Sequence, residues 1–354
     1  MIRFESDYTR GAHPRILQRL VKTNEEQTAG YGIDPYCESA SEIIKNLCQQ
    51  PNADVHFLVG GTGTNLTVIT SILRPHEAVL APSTGHIVTS ETGAIEACGH
   101  KVITIPTETG KITAEQIRAI IDIPDNVHTP RPGMIFISQS TELGGVYTKC
   151  ELLAIKVVAN EFELPLFIDG ARLGYALASE ECDVTLADIA HICDVFYIGG
   201  TKVGALFGEA VVIVNDKLKR DFRYIMKQRG GLLAKGRLLG VQFEEFFKDG
   251  LYYEVSKHAI KLSMQIKKAL SEAGITLKYP AMTNQLFIEF TDEQYALISE
   301  KYVLALWMKG NGITVARLCT DWSTREEDVE QLIEDIKALE KPFWHPNRRY
   351  SCHR

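Results

Sequence analysis

Leu166-Phe-Ile-Asp169-Gly-Ala-Arg172 and, 33 residues beyond its aspartate, the lysine of Asp194-Val-Phe-Tyr-Ile-Gly-Gly-Thr-Lys202-Val-Gly204 decide how this chain folds. Each is a short apolar run, read as a buried strand, that ends in chemistry. The first ends in a carboxylate, a glycine and a guanidinium; the second ends in a lysine set among Gly199, Gly200 and Gly204. The interval is about one strand–helix–strand crossover, so the two runs form neighbouring parallel strands that aim Asp169 and Lys202 into one cleft. A carboxylate in that position is expensive unless it meets a cation, and taken alone it reads as an ion pair with Arg172 that closes the strand. A lone loop lysine is usually solvated. On a tight turn in low-dielectric surroundings its pKa falls and it becomes a Schiff-base nucleophile, and the company of Asp169 favours that reading.

The same rhythm extends to both sides. Apolar or β-branched runs recur at Val55–Val59, Glu77–Leu80, Lys101–Ile105, Met134–Ile137 and Ala210–Val214, and helical spacing recurs at Glu38–Cys48, Asn65–Leu73, Thr113–Ile121 and Lys149–Glu161. Strands alternating with helices predict an α/β fold with a mostly parallel, seven-stranded sheet covered on both faces. After Phe247 the pattern becomes a smaller α+β unit: a helix over Val255–Ala273, strands at Leu286–Phe290 and Gly312–Arg317, and helices over Glu293–Lys301 and Glu326–Leu339. The expected domains are therefore 1–247, cofactor-binding, and 248–354. The tail from Lys341 to Arg354 carries four basic residues and no acid, and reads as a frayed basic end.

Composition narrows the class. With 45% hydrophobic and 23% charged residues in 354, the chain is globular rather than disordered. A net charge of −7 gives no global attraction to nucleic acid or to an anionic membrane surface. No run approaches a transmembrane helix and the start has no apolar signal core, so a cytoplasmic protein is expected. The eight cysteines include no CxxC pair, which leaves neither a zinc knuckle nor a redox motif, and no metal is expected.

Two further places follow apolar runs. Val59-Gly-Gly-Thr62-Gly-Thr-Asn65 opens a helix, presenting free amides and the positive dipole end to an anion. It matches neither the dinucleotide nor the P-loop fingerprint, so a single phosphate monoester suits Gly61 and Thr62 better than a nucleotide. Ser83-Thr-Gly85-His86, with Glu91 beyond it, places an imidazole past another strand. An acid, a Schiff-base lysine, a phosphate cradle and a flat imidazole together describe a site for pyridoxal 5'-phosphate, whose ring becomes an electron sink when a carboxylate keeps its nitrogen protonated.

These residues resemble the threonine aldolase branch of the β-eliminating lyase family, fold type I pyridoxal phosphate enzymes. The likeness runs through Glu5-Ser-Asp7, Tyr31-Gly-Ile-Asp-Pro35, Gly61-Thr62, His86 with Glu91, Leu164–Leu173, the Lys202 segment and Ala316-Arg-Leu318. It implies that Lys202 carries the cofactor, Asp169 pairs with the ring nitrogen, His86 stacks on the ring and Gly61 and Thr62 hold the phosphate. Ser6, Arg172 and Arg317 would take the substrate α-carboxylate, Arg172 also lying near the cofactor's 3-hydroxyl. Tyr31 would reach a neighbouring subunit's site, and either Arg229 or Lys235 would reach the partner's phosphate. A homodimer or homotetramer with shared active sites follows, as does cleavage of L-threonine, L-allo-threonine or related β-hydroxy-α-amino acids to glycine and an aldehyde. The family carries a histidine where this chain has Glu142, so Glu142 joins His86 as a candidate base for the substrate hydroxyl. The competing expectations are β-elimination or transamination on the same cofactor and, further off, a cofactor-free binding protein.

Overall fold

The computed structural model describes residues 1–122 and 126–339, so the basic tail lies outside the described residues. Its strands are β1 (Ile2–Arg3), β2 (Asp54–Leu58), β3 (Glu77–Pro82), β4 (Lys101–Ile105), β5 (Arg131–Ser138), β6 (Leu166–Asp169), β7 (Val195–Gly199), β8 (Glu209–Ile213), β9 (Gln285–Thr291), β10 (Tyr302–Val303), β11 (Ala305–Gly310) and β12 (Ile313–Cys319). The seven apolar runs picked out above all join one sheet, in the order β2-β8-β7-β6-β5-β3-β4. Its pairs from β7 through β4 are parallel, and β8 alone runs against both its neighbours, β2 and β7. β6 and β7 are buried at every position, which is why they read as unbroken apolar runs rather than as alternation.

Helices cover the sheet as the crossovers require. Lys149–Glu161, which links β5 to β6, starts where Thr148 and Glu151 form a reciprocal capping box. Pro35–Cys48 starts at Asp34, whose carboxylate accepts the amides of Tyr36 and Cys37. A helix that the periodicity did not indicate, Arg237–Lys248, lies against it so closely that a Cβ on Gly240 would come within 2.4 Å of the Cys37 nitrogen.

The smaller sheet is antiparallel, in the order β11-β12-β9. The chain's start belongs with it: β1 pairs in parallel with β10, and Phe4 packs among Leu286, Ile288 and Leu318. The helix expected from Val255 begins at Leu251, because Gly250, at φ 75°, turns the chain directly out of the preceding helix. Its first half buries Leu251, Tyr252, Val255 and Ala259 in the large core, and its second half buries Leu262, Ile266 and Leu270 in the smaller one. The two cores therefore meet along a helix rather than across a linker. No described helix is long and apolar enough to cross a membrane.

The sequence order of the parallel strands reverses between β5 and β3. Sheets of this kind bind ligands beyond the carboxyl ends of their strands at such a point. β8 starts on that same rim because it is reversed.

Candidate active site

A pocket opens on this rim, lined by Gly61, His86, Ser138, Ser140, Glu142, Asp169, Ala171, Arg172, Tyr197 and Lys202. It brings together six of the residues singled out from the sequence: Lys202, Asp169, His86, Gly61, Arg172 and Glu142. Gly170 makes the junction possible, since a Cβ there would fall 1.7 Å from the Tyr197 carbonyl oxygen, where β6 and β7 end side by side.

Asp169 is buried at the end of β6 and is held on three sides. Its Oδ1 accepts from Tyr197 Oη at 2.5 Å and from the Ala171 amide at 2.9 Å, and its Oδ2 accepts from Asn65 Nδ2 at 3.0 Å. Asn65 also donates to Glu91 Oε1 at 2.8 Å, and the same oxygen lies 2.8 Å from His86 Nδ1. One buried chain of hydrogen bonds thus runs from Tyr197 through Asp169, Asn65 and Glu91 to His86. With Nδ1–H given to Glu91, the other ring nitrogen is left as the acceptor. Burial drives the Tyr197 phenol well above its usual pKa, and Asp169 and Glu209 push it further, so it stays a neutral donor to the carboxylate.

Arg172 does not pair with Asp169. Its Nε and Nη2 donate to Asp7 at 2.7 and 3.0 Å, a bidentate pair in which Asp7 is fully buried and Arg172 nearly so. Asn284 adds a third hydrogen bond to Asp7 at 2.9 Å. Burial alone would raise the Asp7 carboxyl; the charges of Arg172 and Lys202 and the two side-chain donors bring it below the usual value. Two of the guanidinium N–H groups are thus committed to Asp7, which leaves the others for the substrate carboxylate that the family resemblance implies. Ser6 is buried next to Asp7, and Arg317, in β12, donates from Nη2 to the Glu5 carbonyl at 3.0 Å while its buried Nε has no partner among the described residues.

Lys202 sits on the turn after β7. That turn is fixed by Tyr175, whose hydroxyl donates to the Lys202 carbonyl at 2.6 Å, and by Tyr252, which donates to the Gly199 carbonyl at 3.0 Å. Desolvation and the Arg172 charge lower the Lys202 pKa, against the opposing pull of Asp7, Asp169 and Glu209. Glu142 accepts the His86 amide at 2.9 Å and the Ser138 hydroxyl at 2.6 Å on Oε1, and its Oε2 is buried without a partner. Burial raises its pKa, Asp169 adds to the rise, and Ser138 works against it.

Gly61 starts the helix Gly61–Ile72, whose first amides have no partner within the helix. A Cβ on Gly61 would stand 3.2 Å from Tyr197 Oη, so glycine keeps this corner open. Amides for an anion, a carboxylate for a protonated ring nitrogen, an imidazole plane and a low-pKa amine fit pyridoxal phosphate. Among the described residues no cluster of His, Cys, Asp and Glu is arranged to hold a metal.

Tyr31, Arg229 and Lys235 lie apart from this cavity. Tyr31, at φ 59°, lines a separate pocket with Arg223 and Leu233, and Lys227 Nζ stands 4.6 Å from its ring centroid. Arg229 ends the helix Phe222–Gln228, and Lys235 lines a cleft with Thr28 and Gly30; both are exposed. Thr62 is exposed in the first turn of its helix and is not a lining residue. Sequence reasoning assigned no role to Asp7, Asn65, Ser138, Tyr197 or Glu209. Asp7, Asn65 and Tyr197 stood inside quoted motifs without a role, and Glu209 sits before its apolar run rather than after it.

The architecture is that of the fold type I pyridoxal-phosphate-dependent transferases. Aspartate aminotransferase from Thermus thermophilus, 15% identical, matches 96% of this chain and 91% of its own with a TM-score of 0.72, a likeness of fold alone. The β-eliminating lyase family model matches residues 4–332, and the chain belongs to that family. A low specificity L-threonine aldolase from a Pseudomonas species is 31% identical over 339 residues, 95% of this chain and 97% of the relative. A threonine aldolase from Leishmania major, of known structure, is 44% identical, with a TM-score of 0.95 over 96% of this chain and all of its own.

Proposed function

We propose that this protein cleaves L-threonine, L-allo-threonine or related β-hydroxy-α-amino acids to glycine and an aldehyde, using pyridoxal 5'-phosphate. The observation that carries the reading is the convergence of Lys202, Asp169, His86, Gly61 and an unpartnered Glu142 oxygen on one cavity. The likeness to threonine aldolases over nearly the whole chain supports it.

When bound, the cofactor supplies a ring that accepts the electrons of the breaking Cα–Cβ bond. Lys202 would hold it covalently, Asp169 would keep its ring nitrogen protonated, the amides of Gly61 and Thr62 would bind its phosphate, and His86 would stack on its ring. Ser6, Arg172 and Arg317 hold the substrate α-carboxylate, Arg172 through the N–H groups that Asp7 leaves over. Fixing the carboxylate would orient the scissile bond, so binding would also select which bond breaks. Glu142 Oε2 would take the proton of the substrate β-hydroxyl, and the Lys202 amine would return a proton to the glycine Cα. Glu142 would serve better than His86 because its Oε2 has no partner among the described residues, whereas the imidazole plane would be taken up by the cofactor ring.

Tyr31 and one of Arg229 and Lys235 complete the site of a second copy, in a homodimer or homotetramer in the cytoplasm. Their exposure away from their own chain's cavity is consistent with that role. The test is a product assay on protein reconstituted with pyridoxal phosphate, using L-threonine, L-allo-threonine, phenylserine, serine and cysteine. Glycine with the matching aldehyde is expected; pyruvate or another 2-oxo acid as the main product would overturn the reading. A Lys202→Ala protein that still bound the cofactor covalently and turned over normally would also overturn it.

A further inference from the structure

The turn that carries Lys202 closes on an acid that the cleavage described above does not use. Glu209 is the first residue of β8, 3% exposed, and both of its oxygens are spent on the lysine's own turn. Oε1 accepts from the Thr201 hydroxyl at 2.8 Å, and Oε2 accepts from the Gly200 amide at 3.2 Å. The Thr201 hydroxyl in turn accepts the Gly208 amide at 3.0 Å, and the Gly200 and Thr201 amides donate to the Gly208 carbonyl at 2.9 and 3.1 Å. Thr201 and Gly200, the two residues before the lysine, are thus tied to β8 through one carboxylate.

We propose that Glu209 is a positioning residue for Lys202: it clamps the turn that aims the amine and sets, through its charge, the pH at which that amine becomes free to take up the cofactor. The proposal rests on the reading that Lys202 carries pyridoxal phosphate. The titratable groups facing Glu209 are Lys202 on the turn, Asp169 from β6, Tyr197 from β7 and Tyr252 from the helix Leu251–Glu272. Those acting on Lys202 are Arg172, Asp7, Asp169 and Glu209. The tyrosines stay neutral under burial, so Glu209 and Asp169 supply negative charge on this side and Arg172 opposes them. Asp7 is held by Arg172 and Asn284, and Asp169 is bound by three donors and is needed at the ring nitrogen, which leaves Glu209 as the acid able to vary with the amine.

Burial pushes the Glu209 carboxyl up to about 8, with Asp169 adding to the rise and Thr201 and Lys202 limiting it. Burial thus raises the acid while it lowers the amine, which moves the two titrations toward one another, and the pair behaves as one titrating unit. A proton passing from the Glu209 carboxyl to the Lys202 amine leaves carboxylate and ammonium; the reverse leaves a neutral acid and a free amine, with no other reactant required.

The test is carried out on the cofactor-free chain. Lys202 is labelled competitively with acetic anhydride across pH and read by peptide mass. In parallel, covalent uptake of pyridoxal phosphate at Lys202 is trapped with borohydride and timed. Glu209→Gln removes the charge that favours the ammonium, so the labelling midpoint should fall by roughly one pH unit or more. Glu209→Asp keeps the charge but withdraws it by one methylene from Thr201 and Gly200, so it should keep the wild-type midpoint and slow the uptake several-fold. A Glu209→Gln profile superimposed on wild type overturns the proposal. If that variant does not fold, a Glu209→Asp protein with wild-type uptake overturns it, and one with slowed uptake at an unchanged midpoint supports it. A wild-type protein that never takes up the cofactor at Lys202 would instead overturn the function proposed above.

Discussion

Asp7→Ala removes the partner of a buried guanidinium and tests how far the cavity depends on a residue 165 positions away from Arg172 in sequence. Asp7 is 0% exposed and receives three hydrogen bonds, two from Arg172 and one from Asn284. Breaking such a pair from one side strands an uncompensated charge, at a cost of roughly 3–5 kcal/mol. Unfolding entropy of about 2.1 cal/mol/K per residue, over 354 residues, comes to about 0.74 kcal/mol/K, so the loss should lower Tm by about 4–7 °C. Differential scanning calorimetry of the cofactor-free protein measures this directly. Replacing both partners by apolar residues, Asp7→Leu with Arg172→Met, should cost less than the sum of the two single changes by about 1–3 kcal/mol. Single losses that simply add, to within about 0.5 kcal/mol, would refute the reading of the two residues as one buried unit.

The pair also fixes a direction for pH. The folded Asp7 carboxyl lies below its usual value. Its stabilisation is therefore complete above the unfolded value of about 3.9 and is lost as the pH falls through the lowered one. Asp7→Asn should flatten the acid side of the stability profile below about pH 4 and leave the slope at neutral pH alone.

Glu142→Gln should reduce kcat/KM for L-threonine about 10²- to 10⁴-fold while leaving pyridoxal phosphate uptake intact, measured by aldehyde release and by absorbance titration. Because burial raises the Glu142 carboxyl and the base acts only when ionised, the wild-type rate should climb with pH through a limb above the ordinary carboxylate range, and that limb should vanish in the variant. Tyr197→Phe takes a 2.5 Å donor from buried Asp169 and should destabilise the protein by about 1–3 kcal/mol in urea while weakening cofactor retention in equilibrium dialysis. Of Arg229→Ala and Lys235→Ala, one should raise the cofactor Kd about tenfold or more and the other should leave it near wild type, which identifies the residue that reaches the partner's phosphate.

What could be read before the structure follows from strand direction. Asp169, Lys202, Gly61 and His86 all lie just past apolar runs, and in a parallel sheet the carboxyl ends share one rim, so inspecting the residue after each strand finds them together. Glu142 follows β5 by the same rule, though it was noticed through the family resemblance. Tyr197 escaped notice because β7 is buried on both faces, and a tyrosine in an unbroken apolar run is indistinguishable from core until its hydroxyl is seen to meet Asp169. The partnership of Asp7 with Arg172 has no sequence period to betray it, since 165 positions separate the two residues. β11 was missed for the opposite reason: as an edge strand it exposes Leu306, Trp307 and Met308 in succession and so lacks alternation.

Glu209 is the instructive omission, because the rule that found its neighbours also excluded it. A reversed strand presents its first residue, not its last, to the rim where parallel strands end. β8 is the reversed strand here, paired antiparallel to β7 with Gly199 opposite Glu209. The residues between them, including Lys202, therefore form a hairpin closed by Gly200 and Gly208, and an acid at its return end is as local to the amine as Asp169 on the adjacent strand. Where an antiparallel strand flanks the lysine of such a sheet, the first residue of that strand and the residues after its neighbour share one rim. In this chain the pairing puts a buried carboxyl group behind the amine, where its charge works against the desolvation that lowers the Lys202 pKa.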